Sequence, residues 1–122
     1  MICKELDYYV ALRDQFTVEA SPVVLVIVFQ VNPSESKALI RAWADAATYL
    51  KELQGFISTR LHRGIAGSGT FVSYAVWESV RHCRDAFHSV ELQRRLSAIP
   101  ADTVASLHLF EAVQPTEVRG EC

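Results

Sequence analysis

Two histidines in β-rich stretches are the residues of this chain best placed to exchange protons near neutral pH. His62 follows Arg60 in the run FISTRLHR, residues 56–63. In a strand, Phe56, Ser58, Arg60 and His62 share one face, and Ile57, Thr59 and Leu61 share the other. This is the most polar patch on any candidate strand, and a few convergent polar groups are what a small-ligand pocket requires. The solvated face of an edge strand has the same composition. His108 lies in a second apolar run near the C-terminus. Each histidine is a candidate general acid or base, the alternative being a partly buried or surface imidazole. Tyr74 and Trp77 can stack on a flat ligand or donate hydrogen bonds from O–H and N–H; the alternative is an ordinary core role.

Other chemistries lack their residues. His82 and His88 are six apart, off the spacing that puts two metal ligands on one helix face. Cys3, Cys83 and Cys122 are far apart, odd in number and without a CxxC pair. We therefore expect no metal and, from the cysteine usage, a reduced, cytoplasmic compartment. Gly64, Gly67 and Gly69 precede no phosphate-loop lysine, and neither a dinucleotide fingerprint nor a nucleophile elbow occurs. Glu78 and Glu111 are single carboxylates without a visible partner.

The elements that must position these groups are readable from pattern. Phe71–Trp77 is an apolar, β-rich run, and Glu78-Ser79 breaks it; Ser79 is placed to cap a helix carrying Val80, Cys83, Ala86 and Phe87 on one side. Residues 23–31 (VVLVIVFQV) read as a central strand with both faces buried. Asn32, Pro33 and Glu35 then mark a helix start. Leu39, Trp43, Ala46 or Ala47, Leu50 and Leu53 recur on one helical stripe of about five turns, which Gly55 stops. The glycine-rich stretch 64–69 reads as a hairpin loop between the strands at 56–63 and 71–77. Ser89 restarts a short helix carrying Leu92, Leu96 and Ile99, and residues 104–113 form the last strand. The order is β-α-β-β-α-β, an α+β ferredoxin-like fold: a four-stranded antiparallel sheet with helices on one face. Residues 1–22 form an N-terminal extension, 23–113 the domain, and 114–122 a polar tail.

The bulk numbers agree. The chain has 122 residues, half of them hydrophobic and 21% charged, which is globular and one domain's worth. A net charge of −2 argues against nucleic acid as a partner. The longest apolar run, residues 22–29, is far shorter than the ~20 residues of a membrane helix. A mean hydropathy of +0.13 is high for a small domain. The free sheet face covered by the same face of a second copy would account for it, giving a homodimer.

Four short motifs in this order resemble the antibiotic-biosynthesis monooxygenase family over residues 23–113. They are Trp77-Glu78-Ser79 after an apolar strand, Gln54-Gly55-Phe56 between the first helix and the second strand, Ser89-Val90-Glu91-Leu92-Gln93 after the second helix, and His108-Leu109-Phe110-Glu111 in the last strand. The resemblance implies subunits paired as a dimeric α/β barrel, a pocket between sheet and helices, and no bound cofactor. The implied activity is oxygenation of an aromatic phenol, anthrone or quinol; the other reading is a non-catalytic ligand-binding or interaction module on the same scaffold. In the oxygenase reading His62 or His108 is the base, Arg60 stabilises the oxyanion, and Tyr74, Trp77, Phe56 and Phe87 shape the aromatic slot. The chain departs from the family in its sole asparagine, Asn32, which sits at a helix cap rather than matching the asparagine common in oxygenating pockets. Leu96 and Ala86 stand where the heme-degrading branch needs its histidine and tryptophan, which argues against that activity.

Overall fold

Eight consecutive strand residues, Val23–Gln30 (β2), take the centre of the sheet and are hydrogen-bonded along both edges. The computed structural model describes residues 1–113 and 118–120, so most of the expected polar tail lies outside the described residues. In chain order the other elements are β1 (Ile2–Glu5), α1 (Leu12–Gln15), α2 (Ser36–Leu50), β3 (Phe56–Arg63), β4 (Thr70–Trp77), α3 (Val80–Phe87), α4 (Val90–Leu96) and β5 (Val104–Phe110). The sheet order is β1-β5-β2-β4-β3. β2 runs antiparallel to β4 from Val23↔Trp77 to Gln30↔Thr70, and antiparallel to β5 from Val24↔Phe110 to Gln30↔Val104. The fold is α+β and ferredoxin-like.

The sheet has five strands rather than the four expected. β1 adds to the edge of β5 in parallel, from Ile2↔Val104 to Glu5↔Leu107. All four of its residues are exposed, so it carries no alternating apolar face for a sequence pattern to reveal. Backbone pairing holds it instead, with Ile2 N–H donating to the Thr103 carbonyl at 2.6 Å. Where β1 stops, Gln15 continues the edge: its Oε1 accepts from Leu109 N–H and its Nε2 donates to the Leu109 carbonyl, each at 2.9 Å.

Two further boundaries differ from the sequence reading. β5 ends at Phe110 rather than Val113, because its partner β2 begins at Val23 and offers nothing to pair beyond Val24↔Phe110. In β3 the register shifts between Phe56 and Ser58. Phe56 opposes Trp77 while Ser58 opposes Val76, so Phe56 and Ser58 face opposite sides despite their spacing. A bulge breaks the period-two rule at that point.

The helices cover one face of the sheet. Leu25, Phe29, Phe71, Trp77, Leu107 and Leu109 meet Leu39, Ala42 and Ala46 of α2, Val80, Cys83 and Ala86 of α3, and Leu92 of α4. Burying a residue such as Leu39, which is fully covered, contributes roughly 1.5–3 kcal/mol. Caps set the helix ends. Asn32 Oδ1 accepts from Ser34 N–H at 3.0 Å and opens a single 3₁₀ turn before α2. Ser79 Oγ accepts from His82 N–H at 3.2 Å, and Ser89 Oγ from Leu92 N–H at 3.3 Å. α2 runs for 15 residues, about four turns rather than the five expected. It ends at Leu50 with Lys51 as a right-handed cap, so Leu53 lies beyond it and Gly55, at φ +86°, belongs to the turn into β3.

Gly55 has two constraints at once. Its φ is unfavourable for any side chain, and a Cβ there would run into the His82 ring. Gly55→Ala should therefore lower stability by about 2–3 kcal/mol in a urea titration. An unchanged midpoint would show that the α2–β3 turn can relax freely.

Candidate functional site

An apolar cavity of about 60 Å³ lies between the helix-covered face of the sheet and helices α2, α3 and α4. Small residues on both walls leave the space: Ser73 and Ala75 on β4 stand across from Ala46 and Ala47 on α2 and Ala86 on α3. Larger side chains close its ends, among them Phe29, Trp43, Trp77 and Phe87, and Met1 reaches in from the edge of the sheet.

The cavity has few polar groups, and among the described residues one of them, Trp77 Nε1, has no hydrogen-bond partner. Trp43 Nε1 donates to Ser73 Oγ at 3.0 Å. Trp77 is 2% exposed, and its indole N–H has no hydrogen-bond partner among the described residues. Buried indoles ordinarily find an acceptor, and an orphaned donor costs about 1–3 kcal/mol. Cys83 is the ionisable group in the lining; burial pushes its thiol from 9.0 up to about 12, so it stays neutral. Among the described residues no group of three or more His, Cys, Asp or Glu is arranged to hold a metal ion.

The structure divides the residues singled out from sequence between the two faces of the sheet. Trp77 and Phe87 line the cavity. Phe56 stands behind Trp77, the rings packed edge to face with centroids 5.3 Å apart. Tyr74 is on the opposite face, because residues three apart in a strand point to opposite sides. The slot expected between Tyr74 and Trp77 is therefore not formed. Arg60↔Tyr74, Tyr74↔Val26 and Val26↔His108 make one row across that outer face, and His62↔Val72 lies in the next row. His108 on β5 and His62 on β3 are three strand spacings apart, about 14 Å. The structure thus brings together neither the two histidines nor either of them with the cavity.

His108 is buried by the N-terminal segment rather than by substrate-sized space. Its Nε2 lies 3.1 Å from Gln15 Nε2 and 3.4 Å from an Asp7 carboxylate oxygen. When Nε2 accepts from Gln15, the ring proton sits on Nδ1, which has no partner among the described residues.

Comparison with known proteins followed the same outline. No curated protein matches the sequence. The model of a family described as antibiotic biosynthesis monooxygenase matches residues 22–96, more than half of the chain. The chain belongs to the antibiotic biosynthesis monooxygenase family. Among solved structures it is similar to SnoaB, a cofactor-independent oxygenase from Streptomyces nogalater, at 25% identity and a TM-score of 0.70. That match covers 80% of this chain and 98% of SnoaB. It is similar in fold to Rv0793 from Mycobacterium tuberculosis, at 16% identity and a TM-score of 0.65, covering 80% of this chain and 100% of that one.

The span matched by the family model runs from the start of β2 to the end of α4, so β1 and α1 precede it. Trp43, Ser73 and Cys83 are among the cavity residues within it that the sequence reading did not place in a site. Trp43 and Cys83 sit on helical apolar stripes and read as plain core. Ser73 carried a signal, as a polar residue facing the helices from an otherwise apolar strand.

The cavity's dryness is testable through Cys83. A thiol with a pKa of about 12 is almost all thiol at pH 8, so peptide mapping after alkylation should show Cys3 modified and Cys83 protected until unfolding. The folded chain also holds the Cys83 proton where the unfolded chain releases it. That contribution is complete below pH 9 and lost as pH rises toward 12. Cys83→Ala should flatten the fall of the melting temperature across this window; the same slope in both proteins would contradict the burial of the thiol.

Proposed function

We propose that this chain is a monooxygenase that acts, without metal or flavin, on a small phenol, anthrone or quinol held in the apolar cavity. The observation that carries the reading is the buried Trp77 N–H, which has no acceptor among the described residues and belongs to a residue lining an apolar space. Such a donor costs least when a ligand oxygen accepts from it, and most usefully when that oxygen is becoming an anion. Family membership and the similarity to SnoaB support the same reading.

In this reading Trp77 stabilises the enolate or phenolate oxygen of the substrate and so makes its proton easier to lose. The electron-rich anion passes one electron to O₂, and the resulting radical and superoxide combine as a hydroperoxide. Loss of water leaves a carbonyl, so that CH₂ and O₂ become C=O and H₂O, with the substrate supplying every electron. The apolar walls keep bulk water from the intermediates. The proton leaves to water at the cavity mouth, since His62, His108 and Arg60 stand across the sheet. A cavity of about 150 Å³ holds a benzene ring, so at about 60 Å³ the substrate must displace lining side chains, and Phe87, half-buried at the end of α3, is one candidate.

The same reading includes a homodimer. The outer face of the sheet carries Val24, Val26, Val28, Val72 and Val76, half-covered, with Tyr74 and Phe110 more than 40% exposed. An apolar face of this kind is stable when a second copy covers it. Val26→Glu, at the centre of that face, should shift sedimentation from dimer to monomer. A variant that sediments as the native chain does would remove this face from consideration.

A second reading is favoured by one observation: the ionisable group in the cavity lining is a neutral thiol, not a base. It makes the chain a small-ligand-binding module. Oxygen consumption by metal-free protein with anthrones and reduced quinones decides between them. Uptake above autoxidation, lost on heating, supports the oxygenase, and binding without uptake supports the module. Trp77→Phe keeps an aromatic side chain, though a smaller one, and removes the N–H; it should lower kcat by about 10- to 100-fold with little change in KM. His62→Ala and Arg60→Ala should leave kcat within about twofold. The reverse ranking would move the chemistry to the other face.

A further inference from the structure

We propose that a second, open pocket built by the N-terminal segment is the mouth of the buried cavity, and that it selects aromatic ligands bearing a negative charge. This rests on reading the cavity as a ligand site, and not on whether oxygenation occurs there. The open pocket has a volume of about 300 Å³ and lies between β1, α1 and the end of α3. Phe87 and Leu107 line both it and the buried cavity, so one layer of side chains separates the two spaces. Leu107 is fixed in the sheet. Phe87 is the last residue of α3, half-buried, and packs against Phe16 and His88 with ring centroids 5.5 and 5.7 Å away. A rotation of that one ring would join the spaces, and the joined volume exceeds what an aromatic ring needs.

Charge gives the mouth its preference. Lys4 and Arg13 line it, both exposed, and neither side chain makes a hydrogen bond or ion pair among the described residues. The carboxylate in the lining is Glu5, whose Oε1 already accepts from Leu12 N–H at 2.8 Å. Behind the pocket Arg84 donates to the Phe16 carbonyl and pairs with Asp85, so it adds no free charge. Two unspent cations at an aromatic-walled entrance fit a carboxylated or phenolate ring, stem to the aromatics and anion to the rim. Every charged residue of this lining precedes the span matched by the family model.

The test compares salicylate with phenol, which differ by one carboxylate, in NMR titrations that follow the indole N–H signals of Trp43 and Trp77. Both ligands should shift those signals, salicylate at lower concentration. The double variant Lys4→Glu/Arg13→Glu should weaken salicylate about 5- to 10-fold and leave phenol within about twofold. The native preference should shrink at an ionic strength of about 0.5 M. No response to salicylate in the native chain, an unchanged salicylate affinity in the variant, or an equal loss of both ligands would overturn the proposal. Phe87→Ala supplies an independent arm: faster exchange broadening of the Trp77 signal at equal ligand supports Phe87 as the door, and unaltered exchange removes it. Neither arm reads oxygen uptake, so an inactive protein with charge-selective binding would sink the oxygenase reading and leave this one standing.

Discussion

Pairing of β2 along both edges is the constraint on which the rest of the structure depends. Once Val26 is opposed by Tyr74 on one side and His108 on the other, every side chain of three strands is assigned to the helix-covered face or the free one. A slip of one residue would exchange the two sets. Leu25, Phe29, Ala75 and Trp77 are thereby committed to the helices, and Val24, Val28, Val72 and Tyr74 to the outside. The cavity exists because this register sets Ala75 and Ser73 against the alanines of α2 and α3, where longer side chains would have closed the layer.

That register also explains how far the sequence could be read. β2, α2 and the strand-to-helix passage at Trp77-Glu78-Ser79 were legible because composition, cap residues and periodicity agree there. Gly55 was read as the helix stop, but α2 ends at Leu50 and the left-handed φ of the glycine serves the turn into β3 instead. β1 was not legible, since a short exposed edge strand is held by backbone pairing that leaves no mark in residue type. Nor was the irregularity after Phe56, which shifts a face without changing any residue's identity.

The candidate site was harder for a related reason. Polarity is what a sequence displays, and it drew attention to Arg60, His62 and Tyr74, which share the outer face. A dry cavity is announced by smallness and by one unspent donor, and those features read as ordinary packing until the facing helix is in place. Trp77 and Phe87, singled out as conspicuous aromatic residues, line the cavity. Trp43 and Cys83 were passed over because a helical stripe of apolar residues is the commonest pattern in any core.

The amide of Gln15, which takes both backbone bonds of Leu109, bears on behaviour at high concentration. A bare run of donors and acceptors along β5 beyond β1 would be a template for another chain to add a strand, and from there for open-ended polymers. One side chain ends that possibility by mimicking a peptide unit without carrying a further edge of its own. Sheet growth along β5 beyond β1 is thus blocked by a single residue. The edge at β1 is only four residues long, and the long edge at β3 carries Arg60, His62 and Arg63 to discourage addition on that side.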